Sequence, residues 1–233
     1  MSSHEKSTAS DAEEPSALER RSADLVTRLL KVGIDGLGPF DSAAKVAKAA
    51  RADHPSTESA VHAVVRQHTK LVAGNGFVTG LGGLFTLPVS LPANVFGFHV
   101  LAVRAVAAIA ELRGYDTTKP EVRSAVLLTL VGADATDVLK SAGLPTGGRL
   151  VGLVTSRVPR PVLMLVNKGV GFRLIAKFGT QGLLRLPQRA LPVVGGAVGA
   201  GLDTVMFRRI TKNAEKALPP LTGGAAQAVE GSA

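Results

Sequence analysis

The chain of 233 residues has no cysteine and no tryptophan, and its aromatic residues, a single tyrosine among them, make up 4% of the sequence. Without cysteine there is no disulfide framework, no thiol nucleophile and no thiolate metal site, a composition that fits a reducing compartment. Without tryptophan and with one tyrosine there is no interfacial aromatic belt and little on which nucleobases could stack. Catalytic signatures are missing too. There is no Gly-x-Ser-x-Gly elbow, no Gly-x-x-x-x-Gly-Lys-Ser/Thr phosphate loop and no His-Glu-x-x-His pair. His62 and His68 stand six apart, which does not align them on one helical face as an i,i+4 metal pair would be. The expectation is therefore no catalytic residue, no metal and no cofactor.

Charge is absent in two long stretches. No Asp, Glu, Lys or Arg occurs from Leu71 to Val103, and no acid occurs from Val138 to Leu202. Within the second stretch Lys140, Arg149, Arg157, Arg160, Lys168, Arg173, Lys177, Arg185 and Arg189 are all basic, so the net charge of +9 belongs to the C-terminal half. Residues 1–18, by contrast, are rich in Ser, Ala and Glu and bury too little apolar area to offset ordering entropy, which predicts a disordered acidic tail. Their lack of an apolar run after a basic start predicts that they are no secretory signal. Residues 217–233 are Gly/Ala-rich and predict a flexible tail, leaving 19–216 as one helical domain.

What is present is 45% hydrophobic, with a mean hydropathy of +0.24, so the core must be built from Leu, Val, Ala and Gly. Leu25, Val26, Leu29 and Leu30 recur at helical spacing within 19–34, with Asp24 and Arg28 as an i,i+4 pair and Gly36, Gly38 and Pro39 as the stop. Asp41 is placed to cap a short helix through Ala50. Ser56 opens a helix with Val61, Val64, Val65, Leu71 and Val72 on one face and Glu58, His62, Arg66 and Lys70 on the other. His68 falls on the apolar face, where a buried, satisfied imidazole is the expectation. Ala93 to Arg113 is helix-compatible and Gly114 stands where a left-handed stop belongs. Thr118 and Glu121 have capping-box spacing ahead of an apolar helix through Val131. Asp134 and Asp137 then read as acids favoured by a helix dipole rather than as an acid/base pair. Beyond Leu144 five prolines predict short bent helices before a final basic helix over 194–216. Strand signals are weak, so the fold class is all-α, a single helical bundle with a Gly/Pro-interrupted apolar helix-loop-helix and disordered termini.

The uncharged stretch itself has two readings. Pro88 and Pro92 divide it, and its first part, 71–87, reaches about 25 Å as a helix, short of a bilayer core of about 30 Å, so it is a poor single span. Either 71–103 is a helix-loop-helix buried in the core with the prolines at its turn, or it inserts shallowly as a hairpin presenting Phe85, Leu87, Pro88, Pro92 and Phe96. A ligand cradle is a third option. Gly74 to Gly80 only loosely resembles a dinucleotide loop and follows a helix where that fold requires a strand. Small-x-x-x-small pairs at Gly76/Gly80, Gly148/Gly152 and Gly195/Gly199 predict close helix contacts.

The order of GGLFTLP, LPANVFGFHVLAVRAVAAIAELRGYD, a capped apolar helix and LPVVGGAVGAGLDTVMFRRI resembles the EcsC family of bacterial proteins over roughly residues 25 to 215. Where that pattern places an acid before the second proline, this chain has Ser90 and Leu91. The resemblance implies a helical protein with no established reaction and, as a partner, a membrane protein such as an ABC transporter. From the residues themselves, Arg173/Lys177, Arg185/Arg189 and Arg208/Lys212/Lys216 are like charges at i,i+4, a cost of a few tenths of a kcal/mol per pair that an anionic surface would reverse. Arg173, Lys177, Arg185, Arg189, Arg208 and Arg209 are accordingly the expected lipid- or anion-binding residues of a non-catalytic, membrane-associated accessory protein. The location expected is the cytoplasmic face of the membrane. Nucleic acid is the weaker alternative partner, a small-ligand or enzymatic role is third, and a homo-oligomer is compatible with all of them.

Overall fold

A computed structural model describes residues 16–38, 40–81, 87–146, 150–184 and 192–221, with side chains left undescribed at 76–81, 87–94, 178–184 and 192–198. The described residues are all-α, and the sole β feature among them is an isolated bridge between Leu37 and Phe40. Helix α1 is Ala17–Leu30, extended by a π turn at Lys31–Asp35, and α2 is Ala43–Asp53. The long helices α3 (Thr57–Leu81) and α4 (Leu87–Leu112) follow, then α5 (Pro120–Val131) and the short α6 (Ala135–Ser141) and α7 (Val151–Thr155). Two further long helices, α8 (Arg160–Leu184) and α9 (Pro192–Ala217), complete the bundle.

Helices α4 and α5 form the centre. Every residue from Phe98 to Ala110 is buried, as are Val122 and Ser124 to Val131, which is why neither helix shows a polar side in the sequence. On one flank α3 lies along α9, and on the other α1 lies along α8, the two pairs meeting chiefly through α4 and α5. An aromatic-poor core fills its volume by close approach. Ala102, Ala105, Ala107, Ala108 and Ala110 of α4 have no exposed area and let neighbouring backbones come near, while Ile109, Leu127, Leu128 and Leu174 each bury a full side chain, about 1.5–3 kcal/mol apiece. A helix over Val95–Leu112 is long and apolar enough to cross a membrane, but 78% of that window is buried inside the protein, so its apolar surface is spent on the core.

Several local expectations are revised. Ser16 caps α1 with a reciprocal Glu19 box, so helix starts inside the region assigned to the acidic tail. Ser42, not Asp41, caps α2. Pro88 and Pro92 lie within α4 rather than in a turn before it. Pro88 falls in the first turn, where the backbone N–H has no helical partner anyway, and Pro92 forfeits only one bond a turn later. The same logic makes α8 one long helix instead of short pieces, since Pro159 precedes it and Pro161 sits in its first turn. Thr118 and Glu121 form no capping box. Lys119 is the N-cap residue without a side-chain bond, and the Thr118 amide and hydroxyl both donate to Asp116 in a turn that feeds Pro120 into α5.

The C-terminal end shows why Leu218 to Leu221 are not tail. Gly114, at φ +90°, ends α4 in a conformation that any Cβ would strain. It leaves Arg113 pointing back into the bundle, nearly fully buried. There Nη1 donates to the carbonyls of Glu215 (2.6 Å) and Leu218 (2.9 Å) at the end of α9, and Nη2 donates to both Glu58 carboxylate oxygens at 3.0 Å on α3. The Tyr115 hydroxyl donates to the Pro219 carbonyl at 2.7 Å, and the Leu221 amide donates to the Arg113 carbonyl at 3.0 Å. Leu218 is thereby buried.

Close helix contacts occur at Gly171 and Gly33; of the spaced pairs, Gly76, Gly80, Gly148 and Gly195 lie outside the residues whose side-chain surroundings are described. A Cβ on Gly171 of α8 would stand 2.8 Å from the Ser22 carbonyl oxygen of α1, and one on Gly33 would stand 2.6 Å from Val103, whereas one on Gly152 would meet nothing within 4 Å. Gly171→Ala should therefore cost about 1–3 kcal/mol by forcing α1 from α8, and Gly152→Ala should be neutral or stabilising by up to about 1 kcal/mol. Arg113→Ala strands two buried carbonyls and should cost about 3–5 kcal/mol, at about 1.5–3 kcal/mol per charge-assisted bond, while Glu58→Gln, at an exposed carboxylate, should cost under about 1 kcal/mol. Urea denaturation of the four variants at neutral pH checks both rankings.

Candidate functional site

The predicted cationic residues separate in the structure. Arg173 and Lys177, one turn apart on α8, face the acids that open α6. Lys177 Nζ lies 2.8 Å from an Asp134 carboxylate oxygen and donates to the Val131 carbonyl at 3.1 Å, and an Arg173 terminal nitrogen lies 4.0 Å from Asp137. The hydrogen bond from Lys177 and the nearby cations hold the Asp134 carboxyl below its ordinary range. The like-charge pair on α8 is thus compensated within the chain. Asp134 and Asp137 serve as ion-pair partners as well as helix-start acids. Arg185, Arg189 and Phe85 lie outside the described residues, and Leu87, Pro88 and Pro92 are described in backbone only. Phe96 packs, partly buried, against the core.

Arg208 and Arg209 are exposed on α9, and they belong to a larger stripe. Gly201, Leu202, Val205, Arg208, Arg209, Lys212 and Lys216 are all exposed, while Asp203, Phe207, Ile210, Thr211 and Ala214 are buried against α3 and α4. At 3.6 residues per turn the exposed set occupies one arc of about 120°. The N-terminal part of that arc is apolar, with Leu202 48% and Val205 62% exposed, and its C-terminal part is wholly basic. Sequence reading identified the charges; it missed Leu202 and Val205, because nothing in the pattern tells which apolar residues of a helix are left uncovered.

A second feature lies between α2, α3 and α4. Arg104 is 6% exposed, and its Nε donates to Nε2 of His68 at 3.3 Å, which requires the His68 proton on Nδ1, donated to the Val64 carbonyl at 2.9 Å. The guanidinium carbon stands 5.1 Å from the centre of the Phe40 ring, a cation–π contact set by the Leu37–Phe40 turn. These residues border a groove of about 420 Å³ whose walls include Val46, Leu71, Asn75 and Leu101. Leu71 was expected on the buried face of α3. It is 44% exposed because that face opens into this groove. No group of three His, Asp or Glu residues is placed to hold a metal among the described residues.

The arrangement defines an all-α protein with a sequestered arginine–histidine pair and a separate amphipathic basic face. A model of the EcsC protein family matches residues 39–155, from α2 through α7, and the chain belongs to that family. The match contains the Arg113–Asp116 segment and the Arg104 groove, and it ends before α8 and α9. Comparison with curated proteins and with solved structures found no match.

Burial pushes the imidazoles of both His68 and His99 down to about 4. At His99 the Val95 carbonyl accepts from Nδ1 at 2.8 Å, which partly opposes that shift, and Lys177 adds to it. The unfolded chain takes up these protons near pH 6.5 and the folded chain only near pH 4, so stability is complete above about 6.5 and lost as pH falls across that window. Each histidine contributes a slope of about 1.4 kcal/mol per pH unit. Denaturation midpoints measured from neutral pH down to about 4.5 should fall accordingly, and a flat profile would contradict two neutral buried imidazoles.

Proposed function

We propose that this EcsC-family protein is a non-catalytic accessory protein that docks on anionic membrane through the exposed stripe of α9. The stripe itself supports the reading: two uncovered apolar residues continue directly into four cations on the same 120° arc, with no acid exposed among them. An interfacial helix binds in this manner, its apolar side chains entering the headgroup boundary and its cations meeting acidic lipid at about 1 kcal/mol each. Compensation by Asp134 and Asp137 leaves Arg173 and Lys177 with less to offer, so docking concentrates on Arg208, Arg209, Lys212 and Lys216.

Vesicle co-sedimentation tests this. The full chain should pellet with phosphatidylcholine vesicles containing phosphatidylglycerol, should not pellet with pure phosphatidylcholine, and should be released by high salt. Reversing both arginines (Arg208→Glu, Arg209→Glu) removes about 2 kcal/mol of attraction and adds repulsion, so affinity should fall roughly 30-fold or more. Unchanged pelleting of that variant, or tighter binding to duplex DNA than to acidic vesicles, would overturn the reading.

A further inference from the structure

We propose that the groove between α2, α3 and α4 binds the carboxylate of a small amphiphilic acid, with Arg104 as its anion-holding residue. Arg104 is buried beyond nine-tenths and spends only Nε, on His68. Its terminal nitrogens, which carry four N–H donors, have no hydrogen-bond partner among the described residues, and the side chain lines the groove. Burial works against the charge of Arg104 and the Asp41 carboxylate offsets this only in part, so an anion bonded directly to the terminal nitrogens in the groove lowers the remaining cost. The planar fork matches the two oxygens of a carboxylate, and the contacts with His68 behind it and Phe40 over its face fix its orientation before a ligand arrives.

The surroundings select the charge and the shape of the ligand. Asp41 also lines the groove, its carboxylate engaged by Lys45 Nζ at 2.7 Å, and His68 keeps a neutral imidazole at neutral pH. Arg104 is the one cation among the residues lining the groove, and Asp41 favours its charge only at long range, which suits a monoanion better than a dianionic phosphate. The walls away from Arg104 are apolar at Val46, Leu71 and Leu101, and Asn75 packs close against the bare backbone of Gly97, where a Cβ would stand 3.1 Å from its Oδ1. A volume of about 420 Å³ lies within the range of small-molecule sites. Together these features fit an acid carrying an alkyl chain.

Calorimetric titration of the full chain with sodium octanoate, 1-octanol and inorganic phosphate tests the assignment. Octanoate should bind one per chain, octanol at least about ten-fold more weakly for want of the charge-assisted bonds, and phosphate without saturation. Arg104→Met should abolish octanoate binding. Because that variant alters a buried site, Leu71→Glu at the exposed mouth supplies a second test: it should weaken octanoate about ten-fold by like-charge repulsion, with the circular dichroism unchanged. Reversal of Arg208 and Arg209 should leave octanoate binding intact, separating this site from the α9 stripe. Equal affinity for octanol and octanoate, no saturable octanoate binding, phosphate competing on equal terms, or unaltered binding by a folded Leu71→Glu variant would each overturn the proposal.

Discussion

A single buried guanidinium ties the ends of three helices together. Arg113 leaves the C-terminus of α4, closes the last carbonyls of α9 and reaches the Glu58 carboxylate on α3. Each of those carbonyls would otherwise be an orphan acceptor at a helix end in a dry place, and a helix dipole adds to their negative potential. A cation there satisfies them and recovers part of its own desolvation cost from the partly exposed Glu58. The pairing of α3 with α9 and the burial of Leu218 follow from that contact. So does the position of the α9 stripe, since a helix pinned at its C-terminal end and packed along α3 presents one face outward.

The second buried guanidinium is used differently. Arg113 makes four hydrogen bonds, two to backbone carbonyls and two to the Glu58 carboxylate, whereas Arg104 has one neutral nitrogen and an aromatic face. Arg104 lies on α4 and Arg113, nine residues on, directly follows the last residue of that helix. That spacing is half a turn out of phase, which directs them to different sides of the bundle and explains how one can serve the α9 end while the other faces the α2–α3 groove.

Legibility from the sequence varied with the physics of each feature. The helices of α3, α5 and α9 were visible because an amphipathic or uniformly apolar period of several turns needs no neighbour to be recognised. Their buried faces follow directly, with Val61, Val64, His68 and Val72 buried and Glu58, His62, Arg66 and Lys70 exposed. Prolines misled, since Pro88 and Pro161 read as breaks but sit in first turns, where a missing N–H costs little, and Pro92 forfeits one bond a turn later without ending the helix. The Arg113–Gly114–Tyr115–Asp116 segment stood out as a motif, yet its role depended on Glu58, Glu215 and Leu218, which no local pattern connects to it.

What the sequence by itself determined is the class: helical periodicity, uncharged central helices, a basic C-terminal half and glycine at the left-handed stop after Arg113 all express short-range rules that hold before any helix meets another. Only the tertiary structure decided which charges remain available. Arg173 and Lys177 looked equivalent to Arg208 and Arg209 along the chain, but α6 brings Asp137 and Asp134 to the first pair and, among the described residues, no acid is paired with the second. The same holds for Leu71, Leu202 and Val205, apolar residues whose exposure depends on where neighbouring helices end. Charge compensation and solvent access are properties of separations in space, and a linear pattern carries no information about a contact between residues 40 positions apart until the chain has folded.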